Sequence, residues 1–230
     1  MATNPAAPAA PTNFTLDEWL AFAATNNLDD ARIYDFLSEP LPPGTVTRWL
    51  ARIDRITNAV KPSGVTAAKW RGRKNQIKGR AFEQMLAAVL RSVRFFSSWE
   101  NVGTTTNEID LLVQVGIGCQ VSPVLRQWGS HFICECKLVN KGVNATWIGK
   151  LNTVLELHHS EVGVLVSAKG RPQGKVKTQM HILSIKSPPR IIISVNLDDL
   201  VECENGQNFL RLISTRFIET VSGAAGLITQ

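Results

Sequence analysis

The sequence predicts an α/β protein with a mixed central sheet flanked by helices, preceded by a small helical appendage. Apolar residues between positions 14 and 60 recur at helical spacing. Residues 108 to 115 and 131 to 139 are nearly continuous apolar runs, typical of strands covered on both faces. Beyond residue 75 the predicted order is α-β-β-β-α-β-α-β, in which the first strands form a meander and later ones return through helices.

Composition limits the class of protein. A chain of 230 residues with 44% hydrophobic and 19% charged residues suits one well-buried domain and excludes a fibrous or wholly disordered chain. Its apolar stretches fall short of the roughly 20 residues that span a bilayer, and its N-terminus lacks a signal-peptide pattern. We therefore expect a cytoplasmic protein with no membrane partner. The net charge of +6 favours a polyanionic partner.

The first 64 residues divide into a tail and an appendage. Residues 1 to 13, rich in Ala, Pro and Asn, predict a mobile tail. Residues 14 to 64 predict three short helices and a linker, KPSG, and the first helix begins with Thr15 as N-cap and Glu18 in a capping box. We expect these helices to pack, dimerise or bind a further protein partner. A DNA-reading helix-turn-helix is the alternative, since the third helix is basic.

Residues 65 to 222 form the predicted main domain, and residues 223 to 230 a C-terminal tail. A long amphipathic helix is expected at about residues 76 to 91. Strands are then predicted at 94–102, 108–115, 131–139, 161–167 and 190–195, with helices at 145–159 and 174–185 and at the C-terminal end.

Four cysteines lack the paired CxxC spacing of a zinc module, so we expect free thiols. The segment HFICECKLVN, residues 131 to 140, holds two of them next to two charges. Because alternate side chains of a strand leave opposite faces, Cys134 and Cys136 share one face while Glu135 and Lys137 share the other.

Charged residues interrupt the predicted core in order: Glu83 in a helix, Asp110 in one strand, and Glu135 with Lys137 in the next. Taken singly, each could be a solvated surface charge. Taken together, carboxylates on adjacent strands repel each other unless a divalent cation or a proton lies between them. Oxygen ligands suit Mg²⁺ or Mn²⁺, and the lysine could hold an attacking water or stabilise charge on a phosphate. The pattern favours metal-assisted phosphodiester hydrolysis.

A basic cluster precedes Glu83 along the chain. Such a cluster can neutralise DNA phosphates, although a solvated segment without a ligand has the same composition. Further along, Trp147 and Lys150 could face a DNA groove, with core packing for the tryptophan and solvation for the lysine as the alternative. The candidate DNA-binding residues of the cluster are Lys69, Arg71, Arg73, Lys74, Lys78 and Arg80.

These motifs carry a family resemblance. The pattern of Gly79, Arg80 and Glu83 on a helix, EID at 108 to 110, and ECK at 135 to 137 resembles the PD-(D/E)xK nuclease superfamily, especially Mrr-like restriction endonucleases and archaeal Holliday junction resolvases. The resemblance covers about residues 75 to 200 and implies a restriction-endonuclease-like core of αβββαβ order. Ile109 replaces the proline of the motif, and Glu135 stands where the Mrr-like group often has glutamine.

The resemblance also implies roles. Asp110 and Glu135 match the metal-binding acids, the Cys136 carbonyl a further ligand, Lys137 the catalytic lysine, and Glu83 the helix acid that binds the metal directly or through water. The implied activity is that of a Mg²⁺-dependent endodeoxyribonuclease, with Mn²⁺ able to substitute, acting on DNA as a homodimer in a restriction-type role. A branched-DNA resolvase or repair nuclease is the first alternative. A non-catalytic DNA-binding or assembly module of the same fold is the second.

Overall fold

The computed structural model describes residues 15–25, 30–103, 108–138 and 142–223. Within them the chain is an α/β protein with a five-stranded mixed sheet flanked by helices, which confirms the predicted class. The helices before the sheet are α1 (Leu16–Thr25), α2 (Asp30–Leu37), α3 (Thr45–Asn58) and α4 (Ala67–Leu90). The strands are β1 (Phe96–Gly103), β2 (Glu108–Val115), β3 (His131–Lys137), β4 (Val162–Ser167) and β5 (Ile191–Asn196). The later helices are α5 (Ala145–Leu157), α6 (Gly174–Ile185), α7 (Leu197–Glu204) and α8 (Phe209–Ser222).

The sheet has the order β1-β2-β3-β4-β5. The first three strands form an antiparallel meander, and β3, β4 and β5 are parallel, connected through helices as predicted. Both β4 and β5 are buried along their whole length. This burial explains their unbroken apolar sequence, because helices cover both faces of the sheet.

The strands β2 and β3 separate at one end. Their paired residues run from Gln114 opposite His131 to Leu111 opposite Cys134. Beyond that point β2 continues along β1 as far as Glu108, and β3 continues along β4 as far as Lys137. The two strands therefore form a fork, which we call the β2–β3 fork, and it opens on the side where the sequence places its acidic residues.

Two apolar clusters lie against the sheet. The larger includes Phe82 of α4 and Cys134 of β3, and the smaller includes Ile133 of β3 and Ile148 of α5. Neighbouring residues of β3 thus face different clusters, which confirms the predicted alternation. The Cys134 thiol is fully buried on the α4 side.

The helices before α4 share the larger cluster. Leu37 of α2 and Val46 of α3 are fully buried in it, and Ser38 pairs with Val93 in an isolated β-bridge. The Glu204 carboxylate accepts hydrogen bonds from the backbone N–H groups of Val46 and Thr47, at 3.1 and 3.0 Å. This contact caps the N-terminus of α3 from the opposite end of the chain. The division between residues 14 to 64 and 65 to 222 stays a prediction.

Local sequence signals predict the start of α1 correctly but not the start of α4. The capping box of α1 is confirmed, because the Thr15 N–H donates to Glu18 Oε2 at 2.8 Å and the Glu18 N–H donates to Thr15 Oγ1 at 3.3 Å. The predicted start of α4 near residue 76 is wrong. The helix begins at Ala67, where the Thr66 side chain caps it by accepting from the Lys69 N–H, and the Lys and Arg residues that follow are good helix formers.

Other expected features lie partly outside the described residues. The predicted tail at residues 1 to 13 lies wholly outside them, and so does the C-terminal tail apart from Gly223, which ends α8 in a left-handed conformation. Among the helices of the described ranges, none is both long enough and apolar enough to cross a membrane. The connection from β2 to β3 contains two short 3-10 helices, Ile117–Val121 and Leu125–Trp128.

Candidate active site at the β2–β3 fork

The fold brings the four predicted catalytic residues to one place. Asp110 is the third residue of β2, Glu135 and Lys137 lie near the end of β3, and Glu83 projects from α4 next to the buried Phe82. We call the three acids, together with Lys137, the acid cluster. Glu83, Asp110 and Glu135 are close enough for their charges to shift the pKa values of their neighbours. The cluster therefore joins both strands of the fork to the helix that covers them.

Asp110 fills the fork. Its Oδ2 atom accepts a hydrogen bond of 2.7 Å from the backbone N–H of Cys136, just beyond the last paired residues of β2 and β3. Burial raises the pKa of the Asp110 carboxyl, and the nearby charge of Glu135 raises it further. The hydrogen bond from Cys136 and the charge of Lys137 oppose these effects. Asp110 is thus held in place by a backbone donor while lying against a second acid.

Glu135 is the most buried acid of the fork, with 5% of its surface exposed. Its Oε1 atom pairs with Lys137 Nζ and lies 3.6 Å from Lys150 Nζ on α5. A buried carboxylate is costly unless it is paired, and the two lysines provide that pairing. Lys137 keeps part of its side chain at the surface, so its ammonium group lies between a buried acid and solvent.

Glu83 is the least satisfied acid. Burial first, and then the negative charges of Asp110 and Glu108, raise the pKa of Glu83 to about 7, while a hydrogen bond from Asn101 and the charge of Arg80 act in the opposite direction. Its Oε2 atom is buried and has no hydrogen-bond partner. A buried acceptor without a partner is unusual in native proteins and marks a place where a ligand can bind.

The donor set suits a hard divalent cation. Carboxylate oxygens are the ligands that Mg²⁺ and Mn²⁺ prefer, and the Glu83 Oε2 atom is an acceptor without a donor. Among the described residues, however, no three acidic, histidine or cysteine side chains are gathered closely enough to hold a metal ion. The fit to such an ion therefore rests on the chemistry of the residues and on the unpartnered oxygen, and not on a preformed group of ligands.

The two thiols of β3 are poorly suited to metal binding. Burial raises the pKa of the Cys134 thiol, and it raises that of the Cys136 thiol, where the surrounding acids add to the effect. Both thiols therefore stay protonated at neutral pH. All four cysteines are free. The Cys136 N–H group positions Asp110, whereas a role for its carbonyl as a metal ligand stays a prediction.

The basic cluster of α4 divides between two sides of the helix. With 3.6 residues per turn, one side of α4 carries three basic residues together with Glu83. The three are Lys69, Arg73 and Arg80. The other three, Arg71, Lys74 and Lys78, lie on the opposite side, where Lys74 Nζ donates to the Thr57 carbonyl of α3 at 2.8 Å. Within the cluster, Lys69, Arg73 and Arg80 form a row that leads to Glu83, and we call these three residues the basic row.

Two neighbours of the acid cluster have no signal in the sequence. Lys150 was expected to lie in solvent or to face DNA, but it reaches Glu135 while remaining 60% exposed. Asn101 of β1 binds Glu83. Helical spacing gives no information about which strand residue a helix side chain will meet, so neither contact had a local signal. Trp147 packs against the smaller apolar cluster, as the more conservative expectation had it.

Comparisons with other proteins add no identification: no protein-family model matches the chain, nor does any curated protein or solved structure.

Proposed function

We propose that the protein is a metal-dependent DNA endonuclease with a restriction-endonuclease-like core, and that the β2–β3 fork is its active site. One observation carries the proposal: the charge of Asp110 on β2 interacts with Glu83 of α4 and with Glu135 and Lys137 of β3, and Glu83 keeps an unpartnered oxygen. Acids next to a lysine, with the pKa values of Glu83 and Asp110 raised, suit metal-assisted phosphodiester hydrolysis.

Asp110, Glu135 and Glu83 would hold one or two Mg²⁺ ions. When bound, the metal would supply Lewis acidity toward the scissile phosphate and would lower the pKa of a coordinated water. The backbone N–H of Cys136 fixes the direction of the Asp110 carboxylate, because Oδ2 accepts its hydrogen bond. The other oxygen, Oδ1, is left to bind a ligand.

Lys137 would orient the attacking water and stabilise negative charge on the phosphate. Its Nζ atom already lies against Glu135, so the geometry presents the ammonium group next to the ligand oxygens. Lys150 Nζ lies 3.6 Å from the same Glu135 oxygen, Oε1, and so adds a second positive charge beside the carboxylate. The resemblance implies in-line attack with 5′-phosphate and 3′-hydroxyl products.

The basic row on α4 would hold the DNA backbone next to the site. Lys69, Arg73 and Arg80 are exposed and share one side of the helix with Glu83. Contacts of this kind bind phosphates and orient DNA without specifying its sequence. DNA binding should therefore weaken with salt whatever the sequence.

A cleavage assay tests the proposal. Wild-type protein is incubated with plasmid, methylated, four-way-junction and single-stranded DNA in Mg²⁺, in Mn²⁺ and in chelator. We expect metal-dependent cleavage of at least one substrate, abolished in Asp110→Asn and retained in Asp198→Asn, which changes an exposed acid of α7. Preference for the four-way junction would indicate a resolvase. Absence of cleavage on every substrate, or cleavage by Asp110→Asn equal to that of wild type, would overturn the proposed endonuclease activity.

A further inference from the structure

A cavity of about 610 Å³ lies between α6, α8 and β5, away from the residues of the fork. Its volume falls in the range of small-molecule sites. Pro172 and Met180 give it apolar walls, whereas Arg171, Lys177 and Arg216 make it basic. Its lining residues also include one acid, Glu219, whose Oε2 atom is already bound by Arg216 Nη1 at 2.8 Å. The lining thus combines apolar surface with more basic than acidic residues.

Two lining side chains carry buried polar atoms without partners. Ser194 and Arg216 are only 6% and 7% exposed, and neither Ser194 Oγ nor Arg216 Nε has a hydrogen-bond partner. Both are able to donate a hydrogen bond. Leaving such donors unsatisfied costs folding free energy, so a pair of them in one cavity wall is expected to serve a ligand that brings acceptor oxygens.

Both arginines of the cavity are held in place by a buried carboxylate that does not line it. Asp199, fully buried, accepts from Arg171 Nη2 at 2.6 Å and from Arg216 Nη2 at 3.1 Å. Asp199 itself is fixed by a capping box with Asn196 at the start of α7. A single carboxylate therefore orients two guanidinium groups, and fixed guanidinium groups bind phosphate with better geometry than mobile ones.

The N-terminus of α6 adds donors on the same side. Gln173 and Gly174, at the start of this 12-residue helix, line the cavity, and no side chain caps the helix. Uncapped N–H groups at a helix start attract anions. The direction of the helix thus agrees with the charge of the side chains around it.

We propose that this cavity binds a small organic phosphate, a phosphate monoester attached to a compact body with an apolar face, as a nucleoside has in its base. The phosphate would lie between Arg171, Lys177 and the start of α6, within reach of the buried donors. The body would lie against Pro172 and Met180, because a phosphate alone leaves most of the cavity empty. This site is independent of phosphodiester hydrolysis at the fork.

Calorimetric titration in chelator tests the site without contribution from bound metal. The probes are a nucleoside monophosphate, the matching nucleoside and inorganic phosphate. We expect the monophosphate to bind most tightly, with at least about tenfold weaker binding of each part. Equal affinity for inorganic phosphate and for the monophosphate would contradict an organic ligand, and no binding of the monophosphate at millimolar concentration would overturn the site.

Variants locate the binding. Lys177→Gln and Ser194→Ala should each weaken the monophosphate about tenfold, since each removes a donor to the phosphate. Lys175→Gln, an exposed change in the same helical turn and outside the cavity lining, should leave it unchanged. Unfolding temperatures without ligand check that the variants fold. Equal loss in Lys175→Gln, or no loss in the other two, would overturn the assignment.

Discussion

The β2–β3 fork and the α6–α8 cavity are opposite kinds of site. At the fork, acceptors are in surplus: Glu83 Oε2 is buried without a donor, and burial with neighbouring acids raises the pKa values of Glu83 and Asp110. In the cavity, donors are in surplus, at Arg216 Nε and Ser194 Oγ. These unsatisfied buried groups are part of the basis for the two proposals, a cation at the fork and an anion in the cavity.

Asp199 shows what a structural acid looks like in the same molecule. It is completely buried, yet it accepts hydrogen bonds from two arginines and from the Asn196 N–H at 2.9 Å. Glu83 is less buried and has fewer donors. The contrast separates an acid that stabilises the fold from acids whose arrangement favours function.

The largest expected effect is on activity. Lys137→Ala should lower the cleavage rate about 10³-fold, because it removes the ammonium group that we propose stabilises negative charge on the phosphate. Single-turnover cleavage measures the rate, and DNA binding should persist. Lys186→Ala, an exposed change at the end of α6, is the control. A rate within about threefold of wild type would remove Lys137 from catalysis.

A large loss of stability should distinguish the structural acid. Asp199→Ala should lower the free energy of unfolding by about 3 kcal/mol, because it leaves the buried Arg216 without one of its two carboxylate partners. Chemical denaturation measures the change, with Asp198→Ala, the exposed neighbour, as control. If Asp198→Ala cost as much as Asp199→Ala, the contrast between satisfied and unsatisfied acids would fail.

The two faces of β3 should respond separately. Cys134→Ala should cost about 1 kcal/mol of stability, since it removes a buried sulfur from the larger apolar cluster. Metal-dependent cleavage should be retained. Glu135→Gln should instead weaken the binding of the metal. If Cys134→Ala lost metal-dependent cleavage at a temperature where it is folded, the thiol would belong to the site.

The smallest effect is a pH dependence. The folded-state pKa of Glu83, about 7, lies above the ordinary value of 4.5, so the folded state favours the protonated form. Stability from this group is fully present below pH 4.5 and is lost as the pH rises through 7. In chelator, Glu83→Gln should therefore gain stability relative to wild type between pH 5 and pH 8, by less than about 1 kcal/mol because partial exposure screens the charge. A constant difference would contradict the raised pKa.

Much of the architecture could be predicted from local patterns, while the contacts within the sites could not. The alternation of HFICECK and the capping box at Thr15 depend on neighbouring residues, and both are confirmed. The contact of Lys150 with Glu135 and the pairing of Asp199 with Arg216 depend on packing between distant segments. The predicted start of α4 is too late because the apolar stripe of the helix begins only after the basic run, although Lys and Arg favour helix.

Titration with Mn²⁺ in the absence of DNA tests most directly whether the acid cluster binds a cation. Calorimetry compares wild type, Asp110→Asn and Glu135→Gln with the exposed-acid control Asp198→Asn. We predict that wild type and the control bind Mn²⁺ equally, and that each fork variant binds at least about tenfold more weakly. Equal binding by all four proteins, or no binding by the wild type, would contradict a metal site at the β2–β3 fork.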